Sequence, residues 1–346
     1  MSYRLVEFNR DNISLDLDDV PSSRSRSIVV LNKRNGKQYR IVKQLGKGGY
    51  GTVFLCYDHK NRIRALKTER DPALNQEIQI LNEARRKKCV HIIKMYDHGT
   101  CTSLDEPFIL MTCLGRNLSD MKKRLPNKMY TKSTVYRILM QTLTAVHELH
   151  SLGYVSRDIK PSNFCVGRPN IAPRSIFIID FGVARDFRND NEQTVINEFS
   201  ATAFKGTVKY CPIANHLFKK QCRRDDMESW FYMAYEFFEG KLPWHRISRK
   251  ARHRIKDIKT ILRTPTPKMF SQSPKFMHEL LLKIDGIKFL EKPNYCYIHQ
   301  LLVTAFNEAG YKFDEEYDWE RYQKEEPSND NKVLEEISSD NSIDKK

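Results

Sequence analysis

From Gln38 the chain alternates short apolar runs with turn residues, and YRIVKQLG, GTVFLCYD and RIRALKTE read as strands. NQEIQILNEARRK follows, with Ile78, Ile80, Leu81 and Ala84 on one helical face. Residues 38–114 are therefore expected to be strand-rich with one helix. Beyond Gly115 the period changes. STVYRILMQTLTAVHELHSLG repeats apolar residues at helical spacing and stops at Gly153. DDMESWFYMAYEFFEG is apolar nearly all round, the pattern of a helix buried inside a domain. Residues 1–36 are polar and predict a flexible extension that adds one strand near Ser27 to Leu31. Residues 323–346 are polar, acidic-leaning and without aromatics, and predict a disordered tail.

Between the first two strands stand Gly46, Gly48 and Gly51, with Val53 two residues on. A loop from strand to strand excludes the dinucleotide reading of this spacing, which needs a helix to follow. Glycines let backbone close over phosphates, and Val53 can pack on a purine. Alone, the triplet also suits a flexible hairpin. Lys67 in RALK can neutralise phosphates if Glu77 on the next helix holds it, although singly the two are ordinary surface charges.

The deciding string is Ser156-Arg157-Asp158-Ile159-Lys160-Pro161-Ser162-Asn163. Asp158 can orient an attacking hydroxyl and accept its proton, Lys160 can steady a transferring phosphoryl group, and Asn163 can bind Mg²⁺. The apolar run SIFIID then delivers Asp180-Phe181-Gly182, whose carboxylate can hold Mg²⁺ bridging phosphates. Found together and in order, these residues imply phosphoryl transfer from ATP.

Composition narrows the setting. The net charge of +16 calls for an anionic partner or substrate. The 3 Trp, 16 Tyr and 18 Phe are not interleaved with basic residues, which argues against nucleic acid. The clusters Arg85 to Lys88 and Lys122 to Arg124 read as solvated helix faces. Eight cysteines without a CxxC pair suggest reduced thiols. With no apolar leader and no run of membrane-span length, the expectation is a cytoplasmic or nuclear protein without a membrane partner. Nothing suggests a coiled coil, so a monomer is expected.

GKGGYGTV, RALK, RDIKPSN and DFGVAR resemble the protein-kinase signature set over roughly residues 38–312. Within kinases, DIKPSNF, Gly206-Thr207, RRDDMESWFYM and Leu242 to Trp244 resemble the casein kinase 1 superfamily, and Gly115 to Leu118 with Tyr317 to Glu320 are similar to its tau-tubulin kinase branch. The resemblance implies an α+β bilobal protein kinase fold over residues 37–322, with a mainly β N-lobe carrying one regulatory helix (37–114) and a mainly α C-lobe (115–322). ATP, Mg²⁺ and protein substrates come with it. It implies that Leu45, Gly46, Lys47, Gly48, Gly49, Tyr50 and Gly51 cover the nucleotide, with Val53 and Ala65 above the adenine and Cys165 beneath it. Met111 would be the gatekeeper, Thr112, Cys113 and Leu114 the hinge, and Lys67 with Glu77 the phosphate clamp. Asp158 and Lys160 would be catalytic, Asn163 and Asp180 metal-binding, and Asp226 a brace under the catalytic loop. Lys160 marks the serine/threonine class.

The chain departs from the family at several points. Ser156 replaces the usual histidine beneath Phe181, which leaves a gap and predicts weakened activity. The link from Lys67 to Glu77 is short, with Glu83 the poorer substitute, and Pro212-Ile213-Ala214 replaces the Ser-Ile-Asn of the relatives. Lys209 and the basic stretch Arg246 to Lys259 suggest acidic or pre-phosphorylated substrate sites, although the stretch reads equally well as a solvated helix face. Thr194, Ser200 and Thr202 offer hydroxyls for modification. The competing reading is a catalytically weak, kinase-shaped scaffold that holds nucleotide.

Overall fold

The computed structural model describes residues 28–48, 51–69, 73–102, 106–168, 172–191, 203–264 and 267–325. The chain forms two compact units, one of residues up to 115 with 145–157 and 165–189, the other of 116–144, 158–164 and 190 onward.

In the first unit, β1 (Ile28–Leu31), β2 (Gln38–Gly48), β3 (Gly51–Tyr57), β4 (Ile63–Thr68), β5 (Met95–Thr100) and β6 (Pro107–Thr112) make one antiparallel sheet in the order β1-β2-β3-β4-β6-β5. Strand period divides its two faces. Phe54, Leu66 and Leu110 lie in register and join Val30, Tyr39, Cys56 and Phe108 in an apolar cluster. Val53, Lys67 and Ile109 lie in register on the opposite face, as do Leu55, Ala65 and Met111. Alternation therefore lets one strand fill the core and present Lys67 away from it. Helix α1 (Ala73–Arg86) follows β4.

The β2–β3 turn depends on Gly51, whose φ is +132° and whose added Cβ would lie 2.1 Å from the Thr68 carbonyl oxygen. No L side chain fits there. Gly49 and Tyr50 lie outside the described residues.

The strand expected near Ser27 to Leu31 is present as β1 from Ile28, and residues 32–36 are tied down as well. The reason is a buried carboxylate. Asp97 on β5 accepts hydrogen bonds from the side chains of Asn32 (3.3 Å), Asn35 (2.8 Å), Arg34 (2.8 Å) and Tyr39. Residues 1–27 lie outside the described residues.

The first unit draws on more than one stretch of the chain. Helix α2 (Leu118–Arg124) belongs to the second unit, but the last turns of α3 (Lys132–Ser151) belong to the first. There Glu148 accepts from the amides of Val90 (2.7 Å) and His91 (2.8 Å). The small ribbons β7 (Tyr154–Val155) with β10 (Arg185–Asp186), and β8 (Phe164–Val166) with β9 (Ile176–Ile178), complete this unit, with Ile92 bridged to Ile178.

The second unit is helical: the start of α3, a single turn α4 (Ile213–His216), α5 (Arg223–Glu239), α6 (Arg252–Ile261), α7 (Phe276–Asp285), α8 (Tyr295–Glu308) and α9 (Asp318–Glu325). As its all-round apolar pattern predicts, α5 is buried throughout Asp225 to Phe238. Trp230 donates to Thr142 of α3 at 3.0 Å, and Phe237 meets Tyr130 edge to face. The Tyr317 to Glu320 string docks on the start of α3. Asp318 accepts from the Thr131 amide (2.7 Å) and hydroxyl (2.8 Å), and Arg137 lies 4.0 Å over the Tyr317 ring. Helix α9 therefore carries regular structure to Glu325, three residues into the predicted tail, and residues 326–346 lie outside the described residues. Among the described residues no helix is long and apolar enough to cross a membrane.

Replacing Asp97 with alanine strands the buried donors of Asn32 and Tyr39 and is expected to lower stability by about 3 kcal/mol. Denaturant unfolding checks this, and a loss under about 1 kcal/mol counts against the network. These hydrogen bonds outweigh the burial that opposes them and hold the carboxyl down to about 2. A depressed carboxyl contributes fully above the unfolded value of about 3.9, so this stabilisation is expected to vanish as pH falls through about 2.

Candidate active site

On the sheet face away from the apolar cluster, Lys67 is only 6% exposed. Its ammonium meets Glu77 of α1 at 2.7 Å, Glu69 at 3.1 Å and Asp180 at 3.3 Å. Burial alone would lower the Lys67 ammonium, but the three carboxylates outweigh it and hold the group above its ordinary value, so it stays charged. The short link from β4 does not prevent Glu77 from reaching it. Glu83 is engaged elsewhere, accepting from Arg188 at 3.1 Å. Glu69 has no part in the motif reading, yet it lies two residues past Lys67, where strand period returns a side chain to the same face.

Leu45, Gly46 and Lys47 are exposed on the turn side of β2, and a Cβ added at Gly46 would meet nothing within 4 Å. Met111 is buried beside Ala65. The Thr112 amide donates to the Lys94 carbonyl at 2.9 Å, so a purine reaching this residue would meet its carbonyl rather than its amide. Cys113 and Cys165 are buried and Leu114 is half-buried.

Asp180 adopts φ +66° and Arg157 φ +62°, conformations that cost a non-glycine residue energy and concentrate at functional sites. The Arg157 guanidinium donates to the carbonyl oxygens of Val183 (2.7 Å) and Ala184 (3.4 Å), anchoring the stretch after Asp180. Gln76 of α1 also donates to Ala184, at 2.6 Å.

In the second unit, Lys160 donates to Asp158 at 2.6 Å and to the Thr207 hydroxyl at 2.9 Å. The Asn163 amide nitrogen donates to the Asp158 carbonyl (3.0 Å) and carboxylate (3.3 Å), which leaves its side-chain oxygen as the group to offer a cation. Asp180 retains 31% side-chain exposure. Each by itself, the Asn163 amide oxygen of this unit and the Asp180 carboxylate of the first are oxygen donors of the kind Mg²⁺ prefers.

The family model described as Protein kinase domain matches residues 39–292. The chain belongs to the protein kinase family. Among its relatives is the serine/threonine-protein kinase spe-6 of Caenorhabditis elegans, 28% identical, with 86% of this chain and 79% of the relative covered. A second protein of that organism bearing a casein kinase I name is 33% identical, covering 80% and 84%. Casein kinase I homolog RAG8 of Kluyveromyces lactis is 30% identical, covering 86% of this chain and 55% of the relative. The kinase is thus a serine/threonine protein kinase of the casein kinase 1-like superfamily.

Two readings of this kinase's basic residues need correction. Lys259 is fully buried, donating to the carbonyls of Cys211 (2.6 Å) and Val208 (3.1 Å), so it anchors the segment before α4 instead of meeting solvent or phosphate. Lys122 is not on a solvated face either. It is buried against Glu236 of α5 at 3.2 Å and the Gly240 carbonyl at 2.7 Å. The rest of the 246–259 stretch is largely exposed, while Thr194, Ser200 and Thr202 lie outside the described residues.

Glu77→Gln removes the charge that orients Lys67 and is expected to lower turnover roughly 100-fold with the fold retained, read by steady-state kinetics and thermal unfolding. Ser156 and Phe181 are both buried. Ser156→His is expected to raise turnover severalfold by supporting the loop that carries Asp180, and unchanged kinetics in a folded variant would refute that role.

Proposed function

We propose that this kinase transfers the γ-phosphoryl group of ATP to serine and threonine hydroxyls of proteins, favouring acidic or already phosphorylated sites. ATP with Mg²⁺ supplies the activated phosphoryl group. Lys67, oriented by Glu77, holds the nucleotide phosphates, and Asn163 and Asp180 offer oxygens to Mg²⁺. Asp158 accepts the proton of the attacking hydroxyl while Lys160, fixed between Asp158 and Thr207, offsets charge on the group in transfer. Residues 45–51 cover the phosphates, Val53, Ala65 and Cys165 enclose the adenine, and the hinge from Met111 to Leu114 reads its edge.

The observation that carries this reading is the Lys67–Glu77 contact of 2.7 Å, made by a buried ammonium that three carboxylates meet. Burying three ionisable groups, Lys67, Glu69 and Glu77, is costly, and a chain that only needed its fold would be as stable with apolar residues there. Ser156 is the one observation favouring a weakly active scaffold. It removes no group that handles substrate, so the active enzyme is the better reading.

A preference for anionic sites is supported by the net charge of +16 and by exposed lysines that share a groove with Pro161 of the catalytic turn, Lys123, Lys128 and Lys241. Placement near the tau-tubulin kinase branch rests on Gly115 to Leu118 and Tyr317 to Glu320. We take the kinase domain to run from about Ile28 to Glu325 and the protein to act as a monomer in the cytoplasm or nucleus.

Transfer of labelled γ-phosphate to casein tests the activity. Asp158→Asn is expected to reduce the rate roughly 1,000-fold, within the range attributable to a positioned base. Equal incorporation by both proteins would refute the catalytic reading.

A further inference from the structure

Within the second unit, α2, the turn after it, the end of α5 and the catalytic turn enclose a groove of about 580 Å³. Lys122, Lys123, Lys128, Lys209 and Lys241 line it, against two glutamates, Glu236 and Glu239. Both carboxylates are already engaged. Glu236 binds Lys122 (3.2 Å), Lys209 (2.9 Å) and the Tyr210 hydroxyl (2.5 Å). Glu239 accepts from the Gln272 amide (2.9 Å) and from the Ser273 amide (2.8 Å) and hydroxyl (2.6 Å). Lys128 and Lys241 are exposed and form no ion pair among the described residues. The Lys123–Asp120 contact of 2.7 Å is open to solvent and weak, so Lys123 can turn to a better anion. The groove therefore carries surplus positive charge.

Its walls are held in place. Asn127 and Lys128 both adopt left-handed backbone, φ 56° and 53°, a costly pair of conformations of the sort found at ligand clamps. Gly240 (φ +79°) lies close to Met129, which an added Cβ would approach to 3.2 Å, so the Lys128 turn and the Lys241 rim face each other at short range. Pro161 of the catalytic turn, three residues past Asp158, lines the same groove. A polypeptide presenting a hydroxyl to Asp158 must pass this turn.

We propose that this groove binds an anionic side chain of the protein substrate, a phosphorylated residue or a carboxylate flanking the acceptor, with Lys123, Lys128 and Lys241 as its contacts and with buried Lys122 and half-buried Lys209 held behind them by Glu236. The inference rests on the reading of the chain as a kinase of protein substrates. It assigns anion recognition to the α2 side of the catalytic turn and not to the basic surface of α6.

The test is binding, which needs no turnover. Fluorescent peptides with alanine at the acceptor carry phosphoserine, glutamate or serine at successive flanking positions, and anisotropy reads their affinity for the full chain. At one spacing the phosphoserine peptide is expected to bind at least about 10-fold tighter than its serine twin, with an advantage that shrinks as salt rises. The glutamate peptide shows which anion is preferred. Lys123→Ala/Lys128→Ala/Lys241→Ala should abolish the advantage, and Arg249→Ala/Lys250→Ala/Arg254→Ala on the other basic surface should retain it. The single variant Lys241→Glu repeats the test if the triple variant unfolds. An advantage that survives the groove variants, or that only the 249–254 variant removes, overturns the proposal. If wild type binds as expected yet transfers no phosphate, the kinase reading fails and the groove assignment stands.

Discussion

A lysine ammonium with 6% exposure must be met by opposite charge, and much of the first unit is arranged around meeting it. Lys67 draws its carboxylates from three segments: Glu69 just beyond its own strand, Glu77 from α1, and Asp180 after β9. Each contact restrains one element, so the ion group ties the helix and the Asp180 loop to the sheet. Removing one carboxylate leaves charge uncompensated, whereas in the intact group the Lys67 ammonium stays charged because the carboxylates outweigh its burial. The same residues that would hold nucleotide phosphates thus also position one another.

The second unit uses buried charge in a comparable way. Glu228 of α5 accepts from the Ile213 amide at 3.0 Å and from the Tyr232 hydroxyl at 2.5 Å, and pairs with Arg263 at 3.0 Å. Lys259 fastens Val208 and Cys211, and Thr207 holds Lys160. The segment from Thr207 to Ile213, which leads into Ala214, is therefore anchored by side chains from α5 and α6. Its local structure tolerates changes of sequence, because the anchors are largely backbone carbonyls and amides that most residues supply.

Much of this was readable beforehand. Strand period separated Leu66 from Lys67, helical period found α1 and α3, and the unbroken apolar character of Met227 to Phe238 marked a buried helix. The catalytic and metal-binding candidates were legible because phosphoryl transfer demands particular groups at close spacing in one turn. What periodicity missed was burial of single charges. Lys122 and Lys259 sit in sequences that look solvated, and only their distant partners, Glu236 and the Val208 and Cys211 carbonyls, make burial tolerable. The first strand's anchoring through Asp97 was hidden for the same reason, with 62 residues separating Asn35 from its acceptor.

By itself, then, the sequence determined the class of fold, the family and the inventory of reactive groups, since these follow from local period and from motifs whose members lie within a few residues of one another. Tertiary structure alone decided which charges pair: that Lys67 takes Glu77 and not Glu83, that Lys259 serves as an anchor, and that five lysines converge on one groove with both its glutamates engaged. Electrostatic energy depends on distance and burial in space, and spacing along the chain carries neither.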